Sequence, residues 1–508
     1  MIDAVIFPFL MEVYNLSTRI EEEVQKRIER DPEEKILWWD HIWWSGTDFI
    51  AKVDECSFNL QKSGIGKGSR LALYAPDSPL VLMLSLAVWK LKASIVPLNP
   101  RGGIEANLRV LGKINPSVIV VSDGIRDLPE ALDRAGYPTV TAPLEGPVPC
   151  FKNCGPAAGN STTAVIFATS GTTADPKVVP LSHENLLENT RQVHEFQEGF
   201  EKGRILMNIL PPFHAFGYSV CGLLPLIYGL PQVLLPSFIP VKNCLSAIRE
   251  TGVETLIAVP AMLPFLLGSV QKGENIPSSL KYVLTGGGRL DPALEKRVED
   301  QLGVIIYQGY GLTECSPVVA ANRSNATKKP GTIGQVLPGY EIRITDLEGN
   351  PLPEAQEGIL WVRGPSVCSG YIDAPDLNRE RFLDGWFNTG DIVQIDSEGV
   401  IKVLDRATDL IVVGGFNVYP QEIEEVLQEH SEVRIAAVAG FRHHLTGEYP
   451  KAFVILEENS SISGSELIQF CKGKLAHYKV PRKIEFVNEL PLSPVGKILR
   501  RKLKERIS

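Results

Sequence analysis

Between two apolar runs, Ala164-Val165-Ile166-Phe167-Ala168 and Val178-Val179-Pro180-Leu181, stands Thr169-Ser170-Gly171-Thr172-Thr173-Ala174-Asp175-Pro176-Lys177. Hydroxyls from Thr169, Ser170, Thr172 and Thr173, a glycine at 171 and the ammonium of Lys177 are concentrated there. Such a loop, placed after a strand, presents backbone N–H groups, hydroxyl donors and a cation to phosphate oxygens. It makes a nucleoside triphosphate the candidate ligand, with an ordinary polar loop as the alternative. The spacing is not that of a P-loop, which requires Lys followed by Ser or Thr. Gly64-Ile65-Gly66-Lys67-Gly68 fails the same pattern and reads as a surface turn ahead of a strand at Arg70.

Further segments carry chemistry-bearing residue types in order along the chain. Thr285-Gly286-Gly287-Gly288-Arg289-Leu290 follows an apolar run. Tyr310-Gly311-Leu312-Thr313-Glu314 joins an aromatic face, a hydroxyl and a hard oxygen ligand. Thr389-Gly390-Asp391 places a carboxylate after a turn, and Asp405-Arg406 precedes Asp409. Gly414-Gly415-Phe416-Asn417-Val418-Tyr419-Pro420-Gln421-Glu422-Ile423-Glu424 and Pro491-Leu492-Ser493-Pro494-Val495-Gly496-Lys497 complete the series. Taken singly, each has a plainer reading: a turn aspartate, a core tyrosine, a solvated glutamate, an exposed late lysine.

Taken together, the series resembles the ordered motifs of the adenylate-forming (acyl-CoA synthetase, AMP-binding) superfamily over nearly the whole chain. That superfamily includes acyl-CoA synthetases, peptide-synthetase adenylation domains and beetle luciferases, and this chain looks most like the fatty-acyl-CoA ligases. The resemblance implies ATP, magnesium and coenzyme A as cofactors. It implies that Thr169, Ser170, Gly171, Thr172, Thr173 and Lys177 hold the β- and γ-phosphates. Gly286, Gly287, Gly288, Gly309, Tyr310, Gly311, Asp391 and Arg406 would receive adenine and ribose. Glu314 would hold magnesium, and Thr313 would donate to the α-phosphate or the substrate carboxylate. Lys497 would be the catalytic cation at the reacting centre. Gly414, Gly415 and Phe416 would present backbone to an incoming thiol. Asp405 to Thr408 would be a hinge that lets a small domain rotate between two half-reactions. Many relatives have glycine where Asp405 stands and lysine where Thr408 stands, so the hinge electrostatics depart from the common pattern.

The acyl pocket follows Pro211-Pro212-Phe213-His214-Ala215-Phe216-Gly217-Tyr218. No Asp or Glu occurs between Glu201 and Glu250, so an ammonium-bearing substrate would find no counter-charge here. Phe213, His214, Phe216 and Gly217 are the pocket candidates, with His214 either a gate or a core histidine. Phe-His-Ala-Phe-Gly is similar to the fatty-acyl ligases. The expected function is therefore an ATP-dependent acid–thiol ligase. It would activate a medium- or long-chain fatty acid as acyl-AMP and transfer the acyl group to coenzyme A. The alternatives are an aryl-CoA or acyl-carrier-protein ligase, and a non-catalytic acyl- or adenylate-binding protein. The expected partners are a small carboxylic acid, ATP and CoA, or a carrier-protein pantetheine. A homodimer stays open.

Short β-branched runs alternate with helical patterns through the first two thirds of the chain, which is α/β patterning with mainly parallel sheets. From about residue 331 short strands and glycine turns take over. Beyond the charged segment at 405–409 lies a compact α+β unit. The expected fold is α/β, with two parallel-rich subdomains and a small β-barrel (about 331–404) in an N-terminal domain of residues 1–404. A hinge at 405–409 and a mobile α+β C-terminal domain of 410–508 would follow. No internal repeat is visible. The chain has 508 residues, a net charge of −9 and 44% hydrophobic residues, which suits a multidomain globular protein and not a nucleic-acid binder. The tail from Lys472 is basic, either to close over an anionic ligand or as a solvated helix. The eight cysteines are scattered and fit a reducing compartment. The proline-broken apolar stretch from Ile205 to Pro240 predicts buried strands and turns, and no transmembrane segment. A cytoplasmic location is expected, with peripheral membrane contact left open.

Overall fold

Helix Pro79–Lys90 is apolar on every side and buried at every position from Pro79 to Trp89. Such a helix must be covered all round, and two sheets cover it. The computed structural model describes residues 19–152, 154–157, 159–169, 176–353, 357–443, 445–458, 460–491 and 498–505.

One covering sheet has six strands, in the order Thr139–Ala142, Val118–Ser122, Arg70–Tyr74, Ser94–Leu98, Thr163–Thr169, Lys177–Ser182. All neighbours are parallel except the final pair, Thr163–Thr169 and Lys177–Ser182, which is an antiparallel hairpin. The other has nine strands: Gln335–Val336, Val318–Ala321, Ile305–Gly311, Tyr282–Thr285, Thr255–Ala258, Leu206–Asn208, Gln232–Leu234, Lys35–Trp39 and Ile42–Ser45. Its centre, from Ile305–Gly311 to Lys35–Trp39, is parallel. Trp89 donates its indole N–H to the Ala164 carbonyl (2.8 Å), and Tyr218 donates to Ser85 Oγ (2.7 Å), tying the helix to both sides.

The stretch from Ile205 to Pro240 departs from its expectation. It contains the short strands Leu206–Asn208 and Gln232–Leu234, but between them a π-helical segment, Phe216–Leu223, runs into an α-helical turn, Leu224–Tyr228. Pro225 stands at the start of the α-helical turn, where its missing N–H is tolerated, so the proline does not break the run.

A third sheet is antiparallel throughout: Glu341–Thr345, Gly358–Arg363 and Trp386–Ile395, with Phe382–Leu383 and Ile401–Arg406 both paired to Trp386–Ile395. Asp405 and Arg406 therefore close its last strand. The C-terminal domain adds a fourth sheet, Phe416–Val418, Ile411–Val413, Gly447–Leu456 and Val433–His443, with Lys483–Phe486 parallel to Gly447–Leu456. Helices Pro420–Gln428 and Gly464–Lys472 pack on it. No helix among the described residues is long and apolar enough to cross a membrane.

Asn189, on helix His183–Phe196, joins the two large sheets' territories. Its Nδ2 donates to the Val318 carbonyl (2.7 Å), its Oδ1 accepts from the Val318 N–H (3.0 Å), and the residue is buried. Asn189→Ala leaves both Val318 groups without these partners. It is expected to cost about 3 kcal/mol, read as a lower urea midpoint than the wild-type chain.

Candidate functional site

The ends of parallel strands are where open α/β sheets bind ligands, and the candidate residues gather there. Thr169 ends strand Thr163–Thr169, and Lys177 lies directly across the hairpin from it. Ser170, Gly171, Thr172 and Thr173 lie outside the described residues. The Lys177 ammonium sits over the Tyr371 ring, 5.4 Å from its centre. Tyr371 Oη donates to Glu314 Oε1 (2.6 Å). Glu314 is buried on the short turn Thr313–Cys315, with Thr313 beside it. Burial first, and then the Arg381 charge, hold the Lys177 ammonium below the usual lysine range, with Glu314 acting against them. Burial and the Glu314 carboxylate push the Tyr371 phenol up, so it stays a donor.

A second cluster is built around Asp391. Tyr310 Oη donates to Asp391 Oδ2 (2.5 Å), and Arg406 Nε pairs with Asp391 Oδ1 (3.0 Å). Asp391 is buried, and the two strands place Arg406 directly opposite it in register. Each carboxylate oxygen keeps a lone pair for a ribose hydroxyl. Tyr310 and Gly309 belong to strand Ile305–Gly311, not to a loop. Gly311 is a requirement of the turn: a Cβ there would lie 2.0 Å from the Pro317 carbonyl oxygen. That carbonyl accepts from the Leu312 N–H (2.9 Å) and sets the turn that carries Glu314.

The acyl and adenine candidates meet. Gly286 follows strand Tyr282–Thr285, and a Cβ on it would lie 3.5 Å from the Phe216 ring and 3.2 Å from the Gly309 carbonyl oxygen. Gly287 and Gly288 continue this loop. Phe213 and His214 are ring neighbours (4.8 Å) in the turn just before the helical segment that carries Phe216. Gly217 lets that segment approach the chain behind it, since a Cβ would lie 2.5 Å from the Pro211 carbonyl oxygen.

The C-terminal domain candidates are not all brought to this centre. Gly414 and Gly415 form the two-residue turn between Ile411–Val413 and Phe416–Val418. Phe416 is 56% exposed and stacks on Tyr478 (4.6 Å). Among the described residues no hydrogen bond, ion pair or ring contact joins this turn to the Asp391 cluster. Lys497 lies outside the described residues. The interdomain ties are Arg289 to Gln421 (2.7 Å), Arg289 to Glu425, and Tyr419 Oη to Glu357 (3.0 Å). Asp405, fully buried, accepts from the Gln421 N–H (3.2 Å) at the start of helix Pro420–Gln428. Burial pushes its carboxyl up to about 6. Thr408 lies in the turn after Arg406. Much of the basic tail is paired inside its own domain: Lys474 with Glu429, Lys479 with Glu422, and Arg500 with Glu424.

Glu314 suits a magnesium ion that keeps most of its shell as phosphate and water oxygens. One of its oxygens serves Tyr371, and the other meets no donor among the described residues. No cluster of three or more His, Cys, Asp or Glu side chains gathers elsewhere in them. Sequence reasoning missed Tyr371 and Arg381. Tyr371 is 57 positions from Glu314 and clamped by Asn378, which accepts from its N–H (2.8 Å) and donates to its carbonyl (2.9 Å). The only signal was Gly370-Tyr371 shortly before Thr389-Gly390-Asp391.

The chain is similar to known proteins over most of its length. Residues 24–372 match the AMP-binding enzyme family, and residues 422–497 match the AMP-binding enzyme C-terminal domain. A long-chain-fatty-acid–CoA ligase of Yersinia pestis is 35% identical over 348 residues, 68% of this chain and 62% of the relative. This chain thus spans less than two thirds of that relative's length. A feruloyl-CoA synthase of an Amycolatopsis species is 31% identical over 464 residues, 90% of this chain and 93% of the relative. The crystal structure of ATP-bound MatB from Rhodopseudomonas palustris superposes with a TM-score of 0.88 at 26% identity, over 97% of this chain and 99% of that one.

Asp405 generates a pH test. Its carboxyl is raised from 3.8 to about 6 by burial, so its ionised form opposes this arrangement above that pH. The cost is relieved as pH falls from 6 to 3.8 and the group takes up its proton. Asp405→Asn is neutral throughout. Its stability relative to wild type is therefore expected to rise from pH 4 to pH 7, by on the order of 3 kcal/mol. Thermal melts of both chains across that range check it.

Proposed function

The chain belongs to the AMP-binding enzyme family, and on that premise we propose that it is an ATP-dependent acid–CoA ligase working through an acyl-adenylate. In the first half-reaction a substrate carboxylate oxygen attacks the α-phosphorus of ATP. The new P–O bond forms as the α–β bridge breaks, and pyrophosphate leaves. In the second, the CoA thiol attacks the acyl carbon, a C–S bond forms, AMP leaves and the thiol proton passes to solvent.

The observation that carries this reading is the meeting of two clusters at the strand ends: Lys177, Tyr371 and Glu314 on one side, and Tyr310, Asp391 and Arg406 on the other. The first supplies a cation and a metal-ligating carboxylate where a triphosphate would lie, with Thr169 directly across the hairpin from Lys177. The second supplies a buried carboxylate for the ribose hydroxyls and an aromatic face for adenine. Bound at Glu314, magnesium would neutralise phosphate charge. Lys497 is assigned to the reacting carboxylate and α-phosphate, where developing charge rewards a fixed cation. A lysine in that position would obstruct an incoming thiol. Rotation about Asp405–Thr408 would withdraw it and bring Gly414, Gly415 and Phe416 to the site.

The acid is assigned as a medium- or long-chain fatty acid. Phe216 packs on Gly286 at an apolar wall, and no carboxylate occurs between Glu201 and Glu250 to pair an amino group. The Yersinia relative is named for long-chain fatty acids. A second reading, an aryl acid, is favoured by the wider alignment with the feruloyl-CoA synthase, 93% of that relative.

A pyrophosphate-release screen with CoA present decides between them. Straight-chain acids are expected to be turned over, and release with aryl acids alone would refute the fatty-acid assignment. Lys497→Ala is expected to abolish carboxylate-dependent ATP–pyrophosphate exchange while leaving thioester formation from supplied acyl-adenylate largely intact. Equal loss of both would refute the division of roles.

A further inference from the structure

Arg381 ends helix Pro375–Arg381 and turns its guanidinium toward Thr389-Gly390-Asp391 of strand Trp386–Ile395. Its Nη2 donates to the Thr389 carbonyl (2.8 Å). Its Nε is buried without a hydrogen-bond partner. The guanidinium packs tightly on Gly390, where a Cβ would lie 2.8 Å from Nη1. Its carbon lies 5.6 Å from the centre of the Phe387 ring. Among the described residues no carboxylate pairs with Arg381.

The charge balance of the site gives this meaning. Arg406 is matched by Asp391. That leaves Lys177, disfavoured by the neighbouring Arg381 charge, with one buried carboxylate, Glu314, and the exposed Glu380 to act against it. Glu314 already serves Tyr371, and it is the carboxylate suited to a divalent cation. Two cations held together without sufficient counter-charge are unfavourable unless an anion with several oxygens arrives. A guanidinium also has the forked donors to meet two such oxygens at once, which an ammonium lacks. The structural bond to Thr389 engages Nη2, and Nε is left without a partner.

We propose that Arg381 binds the β- and γ-phosphates of the nucleotide beside Lys177, and so grips the pyrophosphate as it departs. This rests on the ligase reading. It adds a second cation, from an element far from the 169–177 loop, to the triphosphate end of the site. Gly390 then has a defined role, because its missing side chain leaves room for the guanidinium next to the ribose-binding Asp391.

The proposal is tested by calorimetric titration of the full chain, wild type against Arg381→Gln and Arg381→Lys, with ATP, pyrophosphate and AMP as separate probes. AMP lacks the groups that Arg381 would hold. Arg381→Gln is expected to weaken ATP and pyrophosphate binding about tenfold and to leave AMP binding unchanged. Arg381→Lys keeps the charge but not the fork, and is expected to fall between. It carries the test if the glutamine variant does not fold. Unchanged binding of all three probes would overturn the proposal, as would equal loss for AMP, which would make Arg381 a mere support of the 389–391 segment. A wild-type chain that binds AMP but not ATP would overturn both this proposal and the ligase reading. Wild-type ATP binding that no Arg381 substitution alters would overturn only the proposal.

Discussion

The buried carboxylate of Asp391 is the constraint on which the candidate site depends. A buried carboxylate must be hydrogen-bonded or paired, and Asp391 is satisfied from two directions. Tyr310 reaches it from the nine-stranded sheet, and Arg406 reaches it from the neighbouring strand of the antiparallel sheet. One side chain thereby couples a large parallel sheet, a smaller antiparallel one and the segment that leads into the C-terminal domain. Any ligand that engages Asp391 acts on all three at once.

The cluster around Glu314 is organised differently. Lys177, Arg381 and Tyr371 come from a hairpin, a short helix and a loop. The Ile372 N–H donates to the Val178 carbonyl (2.9 Å) and ties the loop to the hairpin, and Asn378 ties the loop to the helix. Glu314 joins them through Tyr371, on a turn shaped by the absence of a side chain at Gly311. Lys177, Arg381 and Arg406 thus stand against two buried carboxylates, Glu314 and Asp391, with Glu380 exposed. That arrangement is poor for stability and well suited to attracting a polyanion.

The interdomain surface follows the same division. Asp405 is held beneath the start of helix Pro420–Gln428, and Arg289 reaches across to Gln421 and Glu425. Beside these few polar contacts, Leu410 and Tyr419 pack against Ile359, Trp361 and Ile392 of the antiparallel sheet. A junction of this kind can change its arrangement at modest cost. The tail's positive charge contributes little to it, because Glu422, Glu424 and Glu429 already neutralise much of it within the domain.

Local pattern was enough for the alternating strands and helices and for the order of the glycine-, threonine- and aspartate-bearing motifs. These are properties of neighbouring residues: period, turn chemistry and donor type. Local pattern failed from Phe216 to Tyr228, because a π-helical segment and a proline at a helix start leave no simple period. It also could not show which side chains meet. Tyr310 and Asp391 are 81 positions apart, and Tyr371 and Glu314 are 57 apart. Sheet register and the packing of separate elements set those contacts, and no periodicity encodes them. The kinds of group available for binding a nucleotide were therefore legible along the chain. Which carboxylate received which partner, and that Arg381 meets no carboxylate among the described residues, followed only from the packing of distant segments.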